Sequence, residues 1–388
     1  MKWWYYMDNI FETEDKIYSI LGLEKCGFQI SKNLYVPNIK RGNKNILVIG
    51  EDEKEKAENF IVPNILNCLG SYVIIDKNGE NYEKTHKHLE ENGYKVYRIT
   101  DGFNFFSCFT CEEDVDALVE VLVKNTSTEI FWDMSAKSLL KSIIYYVKAV
   151  TDDNNQIKLF KECLSNDQAT LNARISMLPI SHPARVSYSS IEQVGEKTYG
   201  SIMATLFSNI NFIMSKIVWE SLNKNQIDIY DFFDEKKVAL FIERPFENMQ
   251  YKSYTNISID YILYLLFNNL NELKKNKKND IYFILDEFDS FNKFEYLSDR
   301  IIQSNDNSTH FILMARSIDK LKEIYKGNLD IILSCCDTQI YNSSNLVSNK
   351  EYFCKLLNVD RTIIDKLSLN EMIIYEKGLK PIICKNNK

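Results

Sequence analysis

Two acidic residues, Asp286 and Glu287, directly follow an apolar run in "DIYFILDEFDSF" and are the first candidates for chemistry. In nucleoside-triphosphate hydrolases, a buried strand of this kind ends in an Asp that binds Mg²⁺, and the neighbouring acid orients the attacking water. The same pattern also occurs where a strand simply ends in solvated acids. The pair therefore indicates a phosphate-handling site only if a second segment binds phosphate.

The second candidate segment begins after the apolar run 46–49, where Gly50 is followed six residues later by Lys56. This spacing partly matches G-x-x-x-x-G-K-[ST], a loop whose backbone amides and lysine hold phosphate. However, Glu55 replaces the second glycine, and Ala57 replaces the Ser or Thr. Glu resists the backbone angles with which glycine closes amides on phosphate. Ala has no hydroxyl to offer Mg²⁺.

The loop is also rich in carboxylates, at Glu51, Asp52, Glu53, Glu55 and Glu58. One like-charge contact at about 4 Å costs roughly 4 kcal/mol at an effective dielectric near 20. That cost is nearly three powers of ten in affinity, at about 1.4 kcal/mol per tenfold. Lys54 and Lys56 offset only part of it. We therefore predict that the loop does not hold triphosphate in the usual way, and we expect no cofactor.

Composition limits the classes of protein to consider. The chain has 388 residues, of which 45% are hydrophobic and 26% charged, as in ordinary globular proteins. This length suits one large α/β unit or two domains. The net charge of -7 argues against a protein that coats DNA over its whole surface. A local basic cluster in "NELKKNKKND" is predicted to be a solvated helix end. Abundant Lys, Asn, Ile and Tyr suggest an AT-rich bacterial genome.

The nine cysteines are scattered and odd in number, which favours a reducing cytoplasm over a disulfide scaffold. No histidine has zinc-finger spacing, so we expect no structural metal. No apolar run approaches about 18 residues, so no transmembrane helix is predicted. The aromatic start, "MKWWYYMDNIF", lacks the basic flank and cleavage site of a signal peptide. It is predicted to form a strand or a partner-facing edge.

The segments that position these candidates alternate between strand and helix patterns. Predicted strands lie at 45–50, 70–76, 94–100, 236–243, 280–291, 308–317 and 330–342. Predicted helices lie at 56–69, where Pro63 interrupts the pattern, at 81–93, and at 257–275. A β-α-β-α-β order produces a parallel sheet with right-handed crossovers. We therefore predict an α/β fold.

Residues 112–222 have a different character, because helical spacing replaces the strand patterns. The clearest helix is "FWDMSAKSLLKSIIYYVKAV", with one apolar side. The sheet pattern begins before this block and returns after it. We therefore predict an all-α insertion at 112–222 within one α/β domain formed by 1–111 and 223–388.

In order and spacing, these segments resemble the TraG-like type IV coupling proteins, the hexameric DNA-transfer ATPases of conjugation systems. That family has Pro-Asn-Leu-Leu after its phosphate loop, matched here by "VPNIL". Its next stretch is matched by "GSYVIIDKNGENYEKTHKHLEENGYKVY", which includes Asp76. "FWDMSAKSLL" and "HPARVSYSSIEQVGEKTYGSIMATL" are similar to its helical domain, and Asp286 and Glu287 match its second acidic motif. The resemblance implies a RecA-like, P-loop NTPase-type sheet flanked by helices, with an inserted all-α domain.

Departures from the family concentrate at the nucleotide site. The family's Pro-Lys after Asp76 is replaced by Lys77 and Asn78. Its Arg-x-Arg-Gly stretch corresponds to "NDNS", which begins at Asn305 and has neither arginine. Arginines of that kind stabilise transferring phosphate across a subunit boundary. Its Gln-Ser-x-x-Gln-Leu sensor becomes "RSIDKL", with Arg316 and Lys320 in place of the glutamines. We also expect no counterpart of the family's N-terminal membrane helices.

These departures predict a pseudo-ATPase with degenerate nucleotide-binding positions at Gly50, Glu55, Lys56, Ala57 and Asp76. Such a protein would recruit relaxase–DNA substrate, or assemble with an active paralogue, in the cytoplasm or peripherally at a membrane secretion complex. One alternative is an active DNA-dependent ATPase in which Lys56, Asp286 and Glu287 suffice with ATP and Mg²⁺. Another is a folded relic with a new ligand. The oligomeric state stays open, because the family forms rings but the intersubunit arginines are lost.

Overall fold

The structure is a computed structural model. It describes residues 21–22, 27–31, 34–37, 42–76, 78–124, 128–152, 155–224, 227–243, 249–268, 279–304, 308–368 and 371–385. The predictions for Asn305, for the basic cluster at 274–278 and for the aromatic N-terminus lie outside these residues.

The chain divides into two compact units. The sheet unit comprises Met1–Tyr97, Tyr230–Glu243 and Phe267–Lys388, and the helical unit comprises Arg98–Ile229 and Arg244–Leu266. The helical unit thus begins earlier than the predicted insertion at 112–222, and it also takes in most of the helix Met249–Asn268. Local periodicity identifies such a helix, but it does not show to which of the two units the helix belongs.

The strands are β1 (Gly27–Ser31), β2 (Leu34–Pro37), β3 (Ile46–Ile49), β4 (Ser71–Asp76), β5 (Lys95–Arg98), β6 (Val238–Glu243), β7 (Ile281–Leu285), β8 (Thr309–Ala315), β9 (Thr338–Tyr341), β10 (Glu371–Glu376) and β11 (Ile382–Lys385). Strands β1 and β2 form an antiparallel pair of their own. Within the described residues, the other nine form one sheet in the order β11-β10-β9-β3-β8-β7-β4-β6-β5.

The centre of this sheet is parallel. Strand β3 lies between β8 and β9, and β7 lies between β8 and β4, all in parallel register. Strand β6 extends the parallel part beside β4, whereas β10 and β11 add an antiparallel edge. Strands of a parallel sheet are covered on both faces, so they are continuously apolar. Every residue of β3, β7 and β8 is accordingly buried.

The helices of the sheet unit are α1 (Glu53–Lys56), α2 (Val62–Leu66), α3 (Glu80–Glu91), α12 (Leu297–Gln303), α13 (Ile318–Tyr325), α14 (Leu329–Ser334), α15 (Val347–Leu357) and α16 (Arg361–Asp365). The helices of the helical unit are α4 (Glu112–Leu122), α5 (Ile130–Val150), α6 (Gln156–Leu164), α7 (Gln168–Ser176), α8 (Pro183–Glu192), α9 (Glu196–Ile210), α10 (Lys216–Lys224) and α11 (Met249–Asn268).

Two local predictions need correction. Residues 330–342 were predicted as one strand, but the structure places α14 first and confines β9 to Thr338–Tyr341. A short apolar run fits a buried helix or a strand equally well, so periodicity alone does not separate them. The predicted helix at 56–69 is broken by a π-helical turn at Ala57–Ile61. Pro63 has no N–H for the usual bond, and the wider turn accommodates it.

A membrane span was not predicted, and no single described helix is long and apolar enough for one. Two consecutive helical segments, Glu196–Met214 and Lys216–Lys224, match a span in combined length and composition but are bent by 71°.

Candidate functional site

Four parallel strands bring the predicted site residues to one edge of the sheet. Strand β3 runs into Gly50, β4 ends at Asp76, β7 runs into Asp286, and β8 runs into Arg316. The carboxyl ends of parallel strands share one edge, which is where ligands bind in open α/β sheets. Gly50, Asp76, Asp286 and Arg316 therefore lie along this one edge of the sheet.

Gly50 lies where the chain leaves β3 against the end of β9. Its N–H donates to Ala315 O at 3.1 Å, and Asn342 N donates to Ile49 O at 2.8 Å. A Cβ at Gly50 would lie less than 3.0 Å from the backbone oxygen of Asn342. The glycine is therefore required by this close approach of two backbone segments.

The loop after Gly50 closes as a helical turn. The side chain of Asp52 accepts a hydrogen bond from Glu55 N at 2.9 Å, and its backbone oxygen accepts from Lys56 N at 3.1 Å. Asp52 thus caps α1, which begins one residue later. The backbone N–H of Glu55, at the position of the motif's second glycine, therefore already donates a hydrogen bond to a carboxylate.

Two other carboxylates of the loop, those of Glu51 and Glu58, also have partners within the fold. Glu51 Oε2 accepts from Asn345 N at 2.6 Å, just before α15. Glu58 lies 3.9 Å from Lys54, one helical turn away. These contacts explain how the fold accommodates so many acids in one short loop.

Lys56 differs from its acidic neighbours. Its side chain is fully buried, and its Nζ has no hydrogen-bond partner among the described residues. A buried cation without a partner is costly. A buried donor of this kind suits an anion.

Asp76 serves the start of α3. Its Oδ1 accepts from the backbone N–H and the amide of Asn81 at 3.2 and 3.3 Å, and its Oδ2 accepts from Tyr82 N at 2.8 Å. The N-cap residue itself, Gly79, has a φ of 74° and no side chain. Asp76 therefore supplies the carboxylate that this helix start needs.

The acidic pair after β7 is buried in a tight turn. Asp286 Oδ1 accepts from the backbone N–H of Glu287 at 2.9 Å, and Glu287 has a φ of 48°. The next residues, Phe288–Ser290, form a 3₁₀ turn, and Ser290 Oγ donates to Glu287 O at 2.6 Å. A left-handed backbone at a non-glycine residue is uncommon and marks a constrained position.

Asp289 was not singled out from the sequence, although it lies two residues beyond Glu287. Its buried Oδ2 accepts from Arg316 N and from Ser317 N, each at 3.1 Å. The acidic turn after β7 and the sensor-like segment after β8 are therefore tied together by one carboxylate. The sequence signal for this contact is the third acidic residue in "DEFDSF". Its partners could not be read from the sequence, because they depend on the pairing of β7 with β8 in the sheet.

The sensor-like segment is anchored by its backbone. Asn349 Oδ1 accepts from Ile318 N at 3.0 Å, and its Nδ2 donates to Arg316 O at 2.8 Å. The side chains of Arg316 and Lys320 are exposed. Nothing in the described part of the chain groups three or more His, Cys, Asp or Glu residues for a metal ion.

Comparison with known proteins gives a consistent result. A family described as type IV secretory system conjugative DNA transfer matches residues 23–366. The solved structure of a bacterial conjugative coupling protein, TrwBdeltaN70 with sulphate, shares 13% identity and a TM-score of 0.77, over 97% of this chain and 93% of that one. Plasmid coupling protein TrwB with ADP and Mg²⁺ shares 13% identity and a TM-score of 0.74 over the same shares of the two chains.

VirB4 of Thermoanaerobacter pseudethanolicus shares 12% identity and a TM-score of 0.60, over 94% of this chain and 97% of that one. None of the curated proteins compared with this sequence matches it. At such low identities the structural likeness concerns the fold. It confirms the predicted RecA-like sheet with flanking helices and a helical insertion.

Proposed function

This chain belongs to the type IV secretory system conjugative DNA transfer family, and on that premise we propose that it serves DNA transfer without hydrolysing nucleotide. In this proposal it is a pseudo-ATPase with the scaffold of a coupling protein. It recruits relaxase–DNA substrate, or assembles with an active paralogue, at a secretion complex.

One observation carries the proposal: the carboxylate of Asp52 holds the backbone N–H of Glu55. In an intact phosphate loop, that amide belongs to the second glycine and faces phosphate. Here an internal anion occupies the same donor. A bound phosphate would have to displace the carboxylate and then remain beside its negative charge.

The remaining residues of the loop also fit magnesium-bound ATP poorly. Ala57 has no oxygen to offer the metal, and Glu51 and Asp52 place further negative charge beside the loop. Repulsion from a single carboxylate at about 4 Å costs nearly three powers of ten in affinity, as estimated above. We therefore assign no catalytic step to Asp286 or Glu287.

Calorimetric titration with ATP and Mg²⁺ tests the proposal on the full chain. We expect no binding in the micromolar range. Micromolar binding that disappears in Lys56→Ala, but persists in Lys54→Ala, would overturn it. Lys54 is a suitable control because it lies two residues away and is exposed.

Recruitment is tested separately, by co-purification with the relaxase and with the ATPases of the same mobile element. We expect the chain to retain at least one of these partners. Failure to retain a partner of either class would contradict the recruiting role.

A second candidate function is supported by Lys56, whose buried Nζ lacks a partner among the described residues. A vacant cationic donor favours a retained nucleotide site, and hence an active DNA-dependent ATPase with an unusual loop. Phosphate release in the presence of single- or double-stranded DNA tests this alternative. Release that is lost in Lys56→Ala would establish it, and absence of release would exclude it.

A further inference from the structure

Residues 342–345, which follow β9, form a segment that lies beside the start of the phosphate loop and is called the β9 loop below. Asn342 N donates to Ile49 O at 2.8 Å, so the chain leaves β9 next to the end of β3. The next residue, Ser343, has a φ of 46°, which is uncommon for a residue other than glycine. The β9 loop therefore begins in a constrained shape.

Two side chains hold the far end of the β9 loop. Tyr341 Oη donates to Ser344 O at 2.7 Å and accepts from Ser344 N at 3.1 Å. Glu51 Oε2 accepts from Asn345 N at 2.6 Å, although the two residues are 294 positions apart. Hydrogen bonds to an ionised carboxylate are among the stronger ones in proteins. The carboxylate of Glu51 therefore ties the phosphate loop to the β9 loop.

Asp52 makes an equivalent bond inside the phosphate loop, where its Oδ1 accepts from Glu55 N at 2.9 Å. Two consecutive carboxylates thus each accept from one backbone N–H. Backbone N–H groups and a lysine are the donors with which a loop of this kind holds phosphate. Glu51 and Asp52 therefore supply, from within the chain, anionic oxygens of the kind that a phosphate group would supply.

Other buried donors at this edge of the sheet are not bonded to either carboxylate. Lys56 and Asn342 are both fully buried, and neither Lys56 Nζ nor the amide of Asn342 has a hydrogen-bond partner among the described residues. Buried polar atoms are normally paired. An anion would satisfy the ammonium of Lys56, but Glu51 and Asp52 place two negative charges on the same loop.

We propose that Glu51 and Asp52 form an internal substitute for phosphate that keeps nucleotide out of the loop, and that removal of both charges restores binding of a triphosphate. This inference deepens the proposed function and rests on it, since it names the residues that exclude nucleotide. Glu55 and Ala57, the two departures from the motif, then play the smaller part in that exclusion.

The double variant Glu51→Gln/Asp52→Asn removes both charges and keeps an acceptor oxygen at each position. Asn caps a helix about as well as Asp, so the start of α1 is preserved. A single like-charge contact at about 4 Å in water is worth roughly fivefold in affinity, and more at a lower dielectric. Calorimetric titration with ATP and Mg²⁺ should therefore show binding at least about 25-fold tighter than in the unmodified chain.

Glu129→Gln/Asp167→Asn is the matched control, because it makes the same two substitutions at exposed positions of the helical unit. Asp167 Oδ1 accepts from Thr170 N at 2.7 Å, and Glu129 Oε2 accepts from Trp132 Nε1 at 3.0 Å. We expect the control to change the affinity for ATP by less than about twofold, since its charges lie outside the phosphate loop. Urea denaturation would verify that both double variants are folded.

A third substitution locates the binding that is gained. Lys56→Ala, added to Glu51→Gln/Asp52→Asn, should abolish the gain, because it removes the buried ammonium of the loop. Lys54→Ala, added in the same way, should leave most of the gain, because Lys54 is exposed. The proposal is overturned if Glu51→Gln/Asp52→Asn binds ATP no more tightly than the control, or if the gain survives Lys56→Ala.

The same titrations separate this proposal from the pseudo-ATPase proposal. Micromolar binding by the unmodified chain, lost in Lys56→Ala, would overturn the pseudo-ATPase proposal, and the affinity of Glu51→Gln/Asp52→Asn relative to that chain would still test the role of the two carboxylates. Absence of binding in both the unmodified chain and the double variant would leave the pseudo-ATPase proposal intact and overturn the role of Glu51 and Asp52.

Discussion

Two fully buried asparagines lie at opposite edges of the same sheet and differ in their partners. Asn45, before β3, donates to Ser304 Oγ at 2.9 Å and to Cys335 O at 3.0 Å, and it accepts from Phe311 N at 2.9 Å. Asn342, after β9, has no hydrogen-bond partner for either side-chain atom among the described residues. The side chain of Asn45 thus links three segments at the amino edge of the sheet. The side chain of Asn342 links no described segments at the carboxyl edge.

Buried polar atoms are normally paired, and exceptions call for an explanation. On the carboxyl edge, Lys56 Nζ, Asp289 Oδ1 and the amide of Asn342 all lack partners within the described chain. Near them, Asp52 and Asp76 cap helices. The edge where open α/β sheets bind ligands therefore combines internal helix-capping contacts with buried polar groups that lack partners among the described residues.

The largest expected effect separates the two asparagines directly. Asn45→Ala removes three hydrogen bonds, each worth about 1 kcal/mol, and should cost about 3 kcal/mol of unfolding free energy. Asn342→Ala removes an amide without partners and should cost less than about 1 kcal/mol. Urea denaturation of both variants measures the difference. Equal losses of unfolding free energy in the two variants would show that the two asparagines stabilise their edges of the sheet equally.

The next effect concerns a glycine at each edge. A Cβ at Gly50 would meet Asn342 O, and a Cβ at Gly70 would meet Asp280 O, both at less than 3.0 Å. Each contact involves backbone, so Gly50→Ala and Gly70→Ala should each cost about 2 kcal/mol. Gly200→Ala, in helix α9 with open space around it, should be neutral or stabilising by about 0.5 to 1 kcal/mol. Thermal unfolding of the three variants would check this order. If Gly50→Ala unfolded like the unmodified chain, the close backbone approach at the carboxyl edge would not require a glycine.

A smaller effect compares the two helix-capping aspartates of the carboxyl edge. Asp76 is buried and holds three donors at the start of α3, so Asp76→Ala should cost about 1 to 2 kcal/mol. Asp52 is exposed and its carboxylate accepts from one backbone N–H, that of Glu55, so Asp52→Ala should cost less. Guanidinium denaturation gives the ranking. If Asp52→Ala proved the more damaging, the loop would be the more tightly built of the two helix starts.

The smallest effect belongs to the amino edge and depends on pH. Burial lowers the pKa of His310, although its hydrogen bond with Asp280 at 2.9 Å acts in the opposite direction. Above the usual histidine pKa of about 6.5, His310 is neutral in both states. As the pH falls below that value, the unfolded chain takes up the proton first, so stability should fall until the folded His310 titrates.

His310→Gln should lose this part of the pH dependence. Unfolding free energies of the two chains at a pH near 7.5 and near 5.5 measure it. The same loss of stability in both chains on acidification would assign the dependence to other groups.

The sequence by itself determined the local elements and the kinship of this chain. Continuous apolar runs predicted β3, β4, β7 and β8, because strands covered on both faces carry no alternation. The order and spacing of the matched segments indicated the family and, with it, the RecA-like sheet and the helical insertion. These features depend on neighbours along the chain, so they can be recognised without a structure.

Only the tertiary structure decided which groups meet. Asn45 and Phe311 are separated by 266 residues and still share a hydrogen bond. Nothing local to Asp289 indicates that it binds the backbone of Arg316 and Ser317, and nothing in "DIILSCCDTQIYN" shows where its helix yields to β9. Periodicity reports the burial of a residue, whereas the partner of a buried polar group depends on which distant segments pack beside it.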